Sequence, residues 1–176
     1  MKVAICGTHC SGKSTLVNQL KNKLNHPIIQ EIAGNYTEKQ RKDLLTQFNI
    51  LSDQIKVEQT MKKFISDRSV IDNLSYIKFH SLKNNIPEVY EVAKSIINLY
   101  LITHPYDAIF FIGEYFPLVD DGIRNLDINQ QEFIFKTLSE IAPTLCKDHN
   151  IPIIYITGTT QERSEEISSW LTQHQL

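Results

Sequence analysis

A short segment near the start of the chain constrains its fold more than any other feature. Residues 7–14 read Gly-Thr-His-Cys-Ser-Gly-Lys-Ser, between an apolar run that begins at Val3 and a helical pattern that begins at Leu16. The spacing of two glycines, a lysine and a serine between a strand and a helix is that of a P-loop, a backbone cradle for phosphate groups. The segment therefore predicts an α/β domain with this loop after its first strand.

Each position of the loop has an expected role. Inward N–H groups, backed by the positive end of the following helix, should bind the phosphates of a nucleotide at Gly7, Thr8, His9, Cys10, Ser11 and Gly12. Lys13 should reach the β- and γ-phosphates, and the Ser14 hydroxyl should ligate Mg²⁺. Thr15 either contacts the nucleotide or is a residue through which the helix packs. His9 and Cys10 do not predict a metal site, because the sequence has no second cysteine–histidine cluster to complete one.

Length and charge favour one domain that acts on small molecules. A chain of 176 residues can bury a substantial core, so we expect a single domain over residues 1–176. The net charge of −2 argues against a broad surface for binding nucleic acid, although a local groove could still bind the end of a DNA or RNA strand. The three cysteines are widely spaced and no apolar run has the length of a membrane span, so we expect a cytoplasmic protein with no membrane partner. The residues do not decide between a monomer and a homodimer.

Short apolar runs alternate with helical patterns along the chain. The runs predict five strands, at residues 2–6, 28–29, 64–67, 107–112 and 152–156. The patterns predict helices at residues 13–24, 37–63, 69–83, 87–104, 129–149 and from 159 onward, with a break near Lys42–Asp43 left open. This alternation predicts a three-layer α/β/α fold around a five-stranded parallel sheet that is covered on both faces.

Charged residues follow two of the predicted strands, at the edge where a parallel sheet binds its ligand. Asp67 could hold Mg²⁺ together with Ser14 or accept a proton from an attacking hydroxyl, and it could instead cap the next helix. Arg68 would neutralise charge on a transferring phosphate, or lie on the surface. Glu31 could serve as the base, or be a solvated side chain.

Two further regions carry candidate residues. Residues 113–127 lack periodicity, and we expect a closing lid there that brings Arg124 to the site, although a flexible charged loop with Asp120 and Asp121 is the alternative. Arg163, early in the last helix, could flank the nucleotide base or lie on the helix surface. Six ring side chains could line an acceptor pocket, or simply pack the core: Tyr36, Tyr76, Phe79, His80, Tyr90 and Tyr100.

The chain resembles P-loop kinase and ATPase domains similar to the ribosylnicotinamide kinase part of NadR, and more distantly the thymidylate and deoxynucleoside kinases. The matching segments run in order through nearly the whole chain: Gly7–Ser14, Asp67-Arg68-Ser69 with Asp72 and Tyr76, Tyr106–Phe110, Asp120–Arg124, and Gly158 with Arg163. The resemblance implies a sheet order of 2-3-1-4-5, ATP with Mg²⁺, and transfer of a phosphoryl group to a nucleoside-like acceptor.

The resemblance also implies roles for three arginines. Arg68 would contact the acceptor or the transferring phosphate, Arg124 would be the lid arginine, and Arg163 would border the adenine. Relatives often carry an arginine shortly after the acid of the second strand, whereas this chain reads Ile-Ala-Gly-Asn after Glu31. The identity of the acceptor therefore does not transfer from a relative.

The combined features predict an ATP-dependent phosphotransferase that acts on a nucleoside, a nucleoside monophosphate or a ribosylnicotinamide-like acceptor. A nucleotide-dependent ATPase or GTPase switch is one alternative, but the chain lacks the Asn/Thr-Lys-x-Asp base-reading motif of GTPases. A kinase that acts on nucleic acid is another. The sequence leaves open whether ATP or GTP is the donor, and whether Asp67 or Glu31 is the base.

Overall fold

The protein is described by a computed structural model that covers residues 1–24, 26–116 and 128–174. Strands β1–β5 span Lys2–Cys6, Ile28–Ile29, Phe64–Asp67, Ala108–Phe111 and Ile153–Tyr155. Helices α1–α7 span Lys13–Lys23, Glu38–Arg41, Leu44–Thr60, Val70–Lys83, Glu88–Thr103, Ile128–Asp148 and Thr160–His174, and a short 3₁₀ helix covers Ile32–Asn35.

The strands form one parallel sheet in the order β2-β3-β1-β4-β5, as predicted. Strand β1 is central: its Ile5 is paired with Asp67 of β3, and its Cys6 is paired with Phe111 of β4. Because all strands run the same way, their carboxyl ends meet at one edge of the sheet. The loop after β1, the residues after β2 and the end of β3 are therefore neighbours.

Helices cover both faces of the sheet, and alternate residues of β1 face the two layers. Val3 and Ile5 belong to a buried cluster with residues of α1 and α7. Ala4 and Cys6 belong to the other cluster, which includes residues of α3, α4, α5 and α6. The predicted three-layer α/β/α fold is confirmed.

The long helical region predicted from residue 37 is interrupted. Helix α2 ends at Arg41, and Asp43 caps α3 by accepting a hydrogen bond from the Thr46 N–H group at 2.9 Å. The break that the sequence left open near Lys42–Asp43 is therefore present, because an aspartate there provides a new helix start. Strand β4 is shorter than predicted, at Ala108–Phe111. In the described part of the chain, no helix is both long and apolar enough to cross a membrane.

Candidate active site

The P-loop connects β1 to α1, with Gly7 directly after the strand and Gly12 directly before the helix. Gly12 is the residue before α1 and has φ 82°, a left-handed conformation that glycine adopts without steric cost. At Gly7, an added Cβ would lie 3.2 Å from both the Ile112 Cβ and the Ser11 Oγ. The predicted strand–loop–helix setting is confirmed, and the loop is packed closely against the residue that follows β4.

Lys13 is buried at the base of this loop. Its side chain is 4% exposed, and its ammonium donates hydrogen bonds to the Thr8 carbonyl and, at 3.2 Å, to the Ser11 hydroxyl. Burial lowers the pKa of Lys13 to about 8, and the charge of Arg68 acts in the same direction. A phosphate anion would oppose both effects, so this lysine is suited to bind negative charge at neutral pH.

Asp67 lies fully buried at the end of β3, and neither of its carboxylate oxygens accepts a hydrogen bond from a described residue. Burial raises its pKa, while the nearby Ser14 hydroxyl and the charges of Arg68 and Lys13 lower it. An unpaired buried carboxylate beside an exposed serine hydroxyl is a suitable pair of oxygen ligands for Mg²⁺. The residues present fit the predicted magnesium site. The alternative role of Asp67 as a helix cap is wrong, because Ser69 caps α4.

Arg68 connects the segment that follows β2 with the P-loop. Its Nε donates to a Glu31 carboxylate oxygen at 2.6 Å, and one of its terminal nitrogens donates to the Gly7 carbonyl at 3.4 Å. Its guanidinium also lies 5.2 Å from the centre of the Tyr76 ring. The side chain is 6% exposed, so the surface alternative for Arg68 is wrong.

Charge interactions between these groups keep both partners of the ion pair ionised. Burial opposes the charge of Arg68, but Tyr76, Glu31 and Asp72 raise its pKa well above the ordinary value. The charge of Arg68 in turn lowers the pKa of Glu31, against the effect of burial. The Glu31 side chain is 33% exposed, so the ionised carboxylate borders open space while the arginine is enclosed.

Asp72 has a larger structural role than its place in the sequence motif indicated. Its carboxylate accepts hydrogen bonds from the Gly7 N–H at 3.1 Å, from the Ser69 N–H at 2.8 Å and from the Ser69 hydroxyl at 2.8 Å. The Cys6 thiol donates to it at 2.8 Å, and Arg68 lies 3.7 Å away. The spacing of serine and acid in Ser69-x-x-Asp72 signals a capping box, but the contact with the P-loop has no local signal.

Arg163 approaches the P-loop from α7. It donates to the Ser11 carbonyl at 3.1 Å and to Glu114 at 2.5 Å, and it lies 5.3 Å from the centre of the Phe116 ring. Its exposed fraction is 4%, so the surface alternative is wrong. Gln131 of α6 also contacts the P-loop: its side-chain amide donates to the His9 carbonyl at 3.3 Å and to the Phe116 carbonyl at 2.8 Å. Sequence reasoning missed Glu114, Phe116 and Gln131.

Several candidates lie elsewhere. Asp120, Asp121, Arg124 and most of the predicted lid fall outside the described residues. Thr15 is exposed, so the helix does not pack through this side chain. Among the ring side chains, Tyr76 lies beside Arg68, whereas the Tyr100 hydroxyl bonds to Glu58 in the core and the Tyr36 hydroxyl bonds to Asp53. Within the described ranges, no group of three or more histidine, cysteine, aspartate or glutamate side chains could hold a metal ion by itself.

A family model described as an AAA domain matches residues 2–163. No curated protein matches the chain. Among solved structures, deoxyadenosine kinase from M. mycoides, with products dCMP and a flexible dCDP bound, is 20% identical, with a TM-score of 0.72 over 98% of this chain and 99% of that chain. NadR protein in complex with NR is 18% identical, with a TM-score of 0.70 over 97% of this chain and 50% of that chain.

Shikimate kinase from Aquifex aeolicus is a more distant neighbour, 17% identical with a TM-score of 0.52, over 100% of this chain and 99% of that chain. These similarities show that the fold is the one found in P-loop kinases. The resemblance to the NadR-like and deoxynucleoside kinases is thereby confirmed at the level of the fold.

Proposed function

This chain belongs to the AAA-domain family, and we propose that it is a P-loop kinase that transfers the γ-phosphate of ATP to a small nucleoside-like hydroxyl acceptor. One observation carries the proposal. The Arg68 guanidinium bridges Glu31, two residues after β2, and the Gly7 carbonyl of the P-loop. This contact holds a carboxylate and a buried cation beside the P-loop, which supports the proposal that the acceptor would meet the donor phosphate there.

The donor half of the reaction uses the P-loop residues. Backbone N–H groups of residues 7–14 and the Lys13 ammonium would bind the β- and γ-phosphates. Ser14 and Asp67 would hold Mg²⁺, which would supply charge neutralisation at the phosphates. Arg163 borders this region and would lie near the adenine. The lid arginine predicted from sequence, Arg124, remains a prediction.

The acceptor half uses Glu31 and Arg68. Asp67 is enclosed and would be committed to the metal, whereas Glu31 is ionised and borders open space, so Glu31 would receive the proton of the acceptor hydroxyl. A new bond forms between the hydroxyl oxygen and the γ-phosphorus, the bond from that phosphorus to the β,γ-bridging oxygen breaks, and ADP leaves. Arg68 would stabilise the charge on the equatorial oxygens during this exchange.

Two structural neighbours guide the choice of acceptor. One is a deoxyadenosine kinase and the other was solved with NR. We therefore propose a nucleoside, a nucleoside monophosphate or a ribosylnicotinamide-like compound as acceptor. A slow nucleotide switch is disfavoured because a buried arginine is already supplied in the same chain, so no partner is needed to provide one.

The proposal is tested by measuring ADP formation from Mg·ATP with each acceptor class and with oligonucleotides, and by identifying the phosphorylated product by mass spectrometry. We expect one small acceptor to raise ADP formation at least about tenfold over basal hydrolysis, and the Glu31→Gln variant to lose about 10²- to 10³-fold of that kcat. The exposed Glu38→Gln substitution is the matched control and should retain the wild-type rate. Failure of every acceptor to raise turnover would rule out a small-molecule kinase.

A further inference from the structure

A buried carboxylate, Glu58 on helix α3, lies outside the proposed active site. Glu58 is 0% exposed and accepts hydrogen bonds from the Gln54 side chain at 2.6 Å, from the Tyr100 hydroxyl at 2.6 Å and from the Tyr106 hydroxyl at 2.9 Å. The same Gln54 side chain donates to the Ser66 hydroxyl of β3 at 2.9 Å. This cluster takes no part in the proposed chemistry, yet it connects α3 with α5 and with the strand that ends at Asp67.

The Tyr106 hydroxyl has a second partner. It accepts the N–H of Val70, the first residue of α4, at 3.1 Å. The N–H groups at the start of a helix have no partner within the helix and need one from elsewhere. The capping box of α4 satisfies its neighbours: Ser69 N–H bonds to Asp72, and the Ile71 and Asp72 N–H groups bond to the Ser69 hydroxyl. Among these four N–H groups, from Ser69 to Asp72, the Val70 N–H has its partner in a distant segment.

The turn immediately before α4 has a strained backbone. Arg68 has φ +87°, a region that residues with a Cβ rarely occupy. Such a conformation persists only where the surrounding structure restrains it from several sides. The Arg68 N–H donates to the Ile5 carbonyl at 3.1 Å on the strand side. On the helix side, the Ser69 hydroxyl lies 3.3 Å from the Cys6 thiol, and the Val70 N–H is the backbone group of the first turn that is held from outside, by the Tyr106 hydroxyl.

We propose that Tyr106, held in place by Glu58, is a positioning residue for phosphoryl transfer, because its hydroxyl fixes the first turn of α4 and thereby the orientation of Asp67 and Arg68. Neither side chain would touch a substrate. The proposal deepens the kinase function proposed above and rests on it for its kinetic readout, whereas its structural readout is independent of any acceptor.

The matched pair of variants is Tyr106→Phe and Tyr100→Phe. Each removes one hydroxyl that donates to Glu58, and only Tyr106→Phe also leaves the Val70 N–H without its acceptor. Misplacement of reacting groups by about 1 Å can cost about 10²-fold in rate. We expect Tyr106→Phe to lower kcat by about tenfold or more and to change the KM for Mg·ATP by a smaller factor, since the variant removes no group of the P-loop itself. Tyr100→Phe should keep the wild-type kcat.

The experiment measures kcat and KM for both variants of the full chain, with the acceptor found in the screen and also for basal hydrolysis of Mg·ATP. Amide hydrogen exchange at Val70 is measured without any ligand, and should be about tenfold faster in Tyr106→Phe than in Tyr100→Phe at matched global stability. Equal losses of kcat in the two variants, or equal exchange at Val70, would overturn the positioning role.

A third variant keeps the test decisive if Tyr106→Phe does not fold. Glu58→Gln retains the Tyr106 hydroxyl but replaces the carboxylate that holds it, so we expect faster Val70 exchange and a kcat between those of the wild type and Tyr106→Phe. A Glu58→Gln protein with wild-type kcat and wild-type exchange would contradict the proposal. If no acceptor is found, the exchange result at Val70 still stands, so the two proposals fail separately.

Discussion

At the scale of single residues, the site brings together ionisable groups that alter one another's pKa. Lys13, Arg68 and Glu31 are each enclosed to a degree that would be costly for an isolated charge. Arg68 and Glu31 compensate each other at 2.6 Å, whereas Lys13 has a carbonyl and a hydroxyl as its hydrogen-bond acceptors. The lysine is therefore the cation whose charge depends most on an added anion.

This difference leads to a prediction about proton uptake. Since burial lowers the pKa of Lys13 to about 8, about half of the lysine is neutral at pH 8, and a triphosphate should restore its proton. Calorimetric titration with Mg·AMP-PNP, in buffers that differ in ionisation enthalpy, should show uptake of about half a proton per site at pH 8 and almost none at pH 6.5.

This titration is tested with variants of two lysines on α1, one in the P-loop and one exposed. Lys13→Met should abolish the uptake and weaken binding, whereas Lys21→Ala, at an exposed position of α1, should change neither. Uptake that persists in Lys13→Met would mean that another group takes up the proton.

At the scale of elements, the start of α4 joins two parts of the site. Its capping box is formed by Ser69 and Asp72, and the same Asp72 carboxylate accepts the Gly7 N–H of the P-loop. Helix α2 has a capping box as well, formed by Thr37 and Gln40 on the surface. The two boxes have similar local chemistry, but only the one on α4 is buried and connected to another loop.

We therefore expect Ser69→Ala to lower the free energy of unfolding by about 1–2 kcal/mol, and Thr37→Ala by about 0.5 kcal/mol. Removal of the Ser69 hydroxyl leaves buried N–H groups unpaired, whereas water can replace the exposed Thr37 hydroxyl. Urea unfolding of the two variants measures both values. Equal losses would show that the buried α4 cap has no contribution beyond local helix capping.

Much of the element pattern was predictable, because it depends on local spacing. The start of α1 follows the P-loop glycine, and the end of β3 follows its short apolar run. The break between α2 and α3 was left open because Lys42 and Asp43 fit both a continuous helix and a new cap. The side chain of Asp43 decides it by capping α3 at Thr46.

At the scale of the whole molecule, the Glu58 cluster connects elements from different parts of the chain, so its protonation should affect global stability. Burial raises the pKa of Glu58 to about 7, while hydrogen bonds from Tyr100, Gln54 and Tyr106 and the charge of Lys2 lower it. The ordinary carboxyl pKa is 4.5, so between about pH 4.5 and 7 the folded protein holds a proton that the unfolded chain has lost.

The free energy of unfolding should therefore include a contribution from Glu58 that is complete below about pH 4.5 and is lost as the pH rises to about 7, by up to about 3 kcal/mol. Glu58→Gln should remove this slope. The measurement is urea unfolding from pH 4.5 to 8 for both proteins, and the difference between the two curves isolates Glu58 from carboxylates such as Glu31. A constant difference across this range would contradict the raised pKa.

The sequence by itself determined the P-loop, the alternation of strands and helices, and the charged residues that follow β2 and β3, because each depends on neighbours within a few positions. Tertiary structure decided which of those residues meet. Glu31 reaches Arg68 across 37 positions, and Gln131 reaches His9 across 122. Such contacts arise from the sheet order, which places distant strand ends side by side. Composition and spacing carry no direct signal for these contacts. Individual site residues could therefore be predicted from the sequence, but the contacts between them could not.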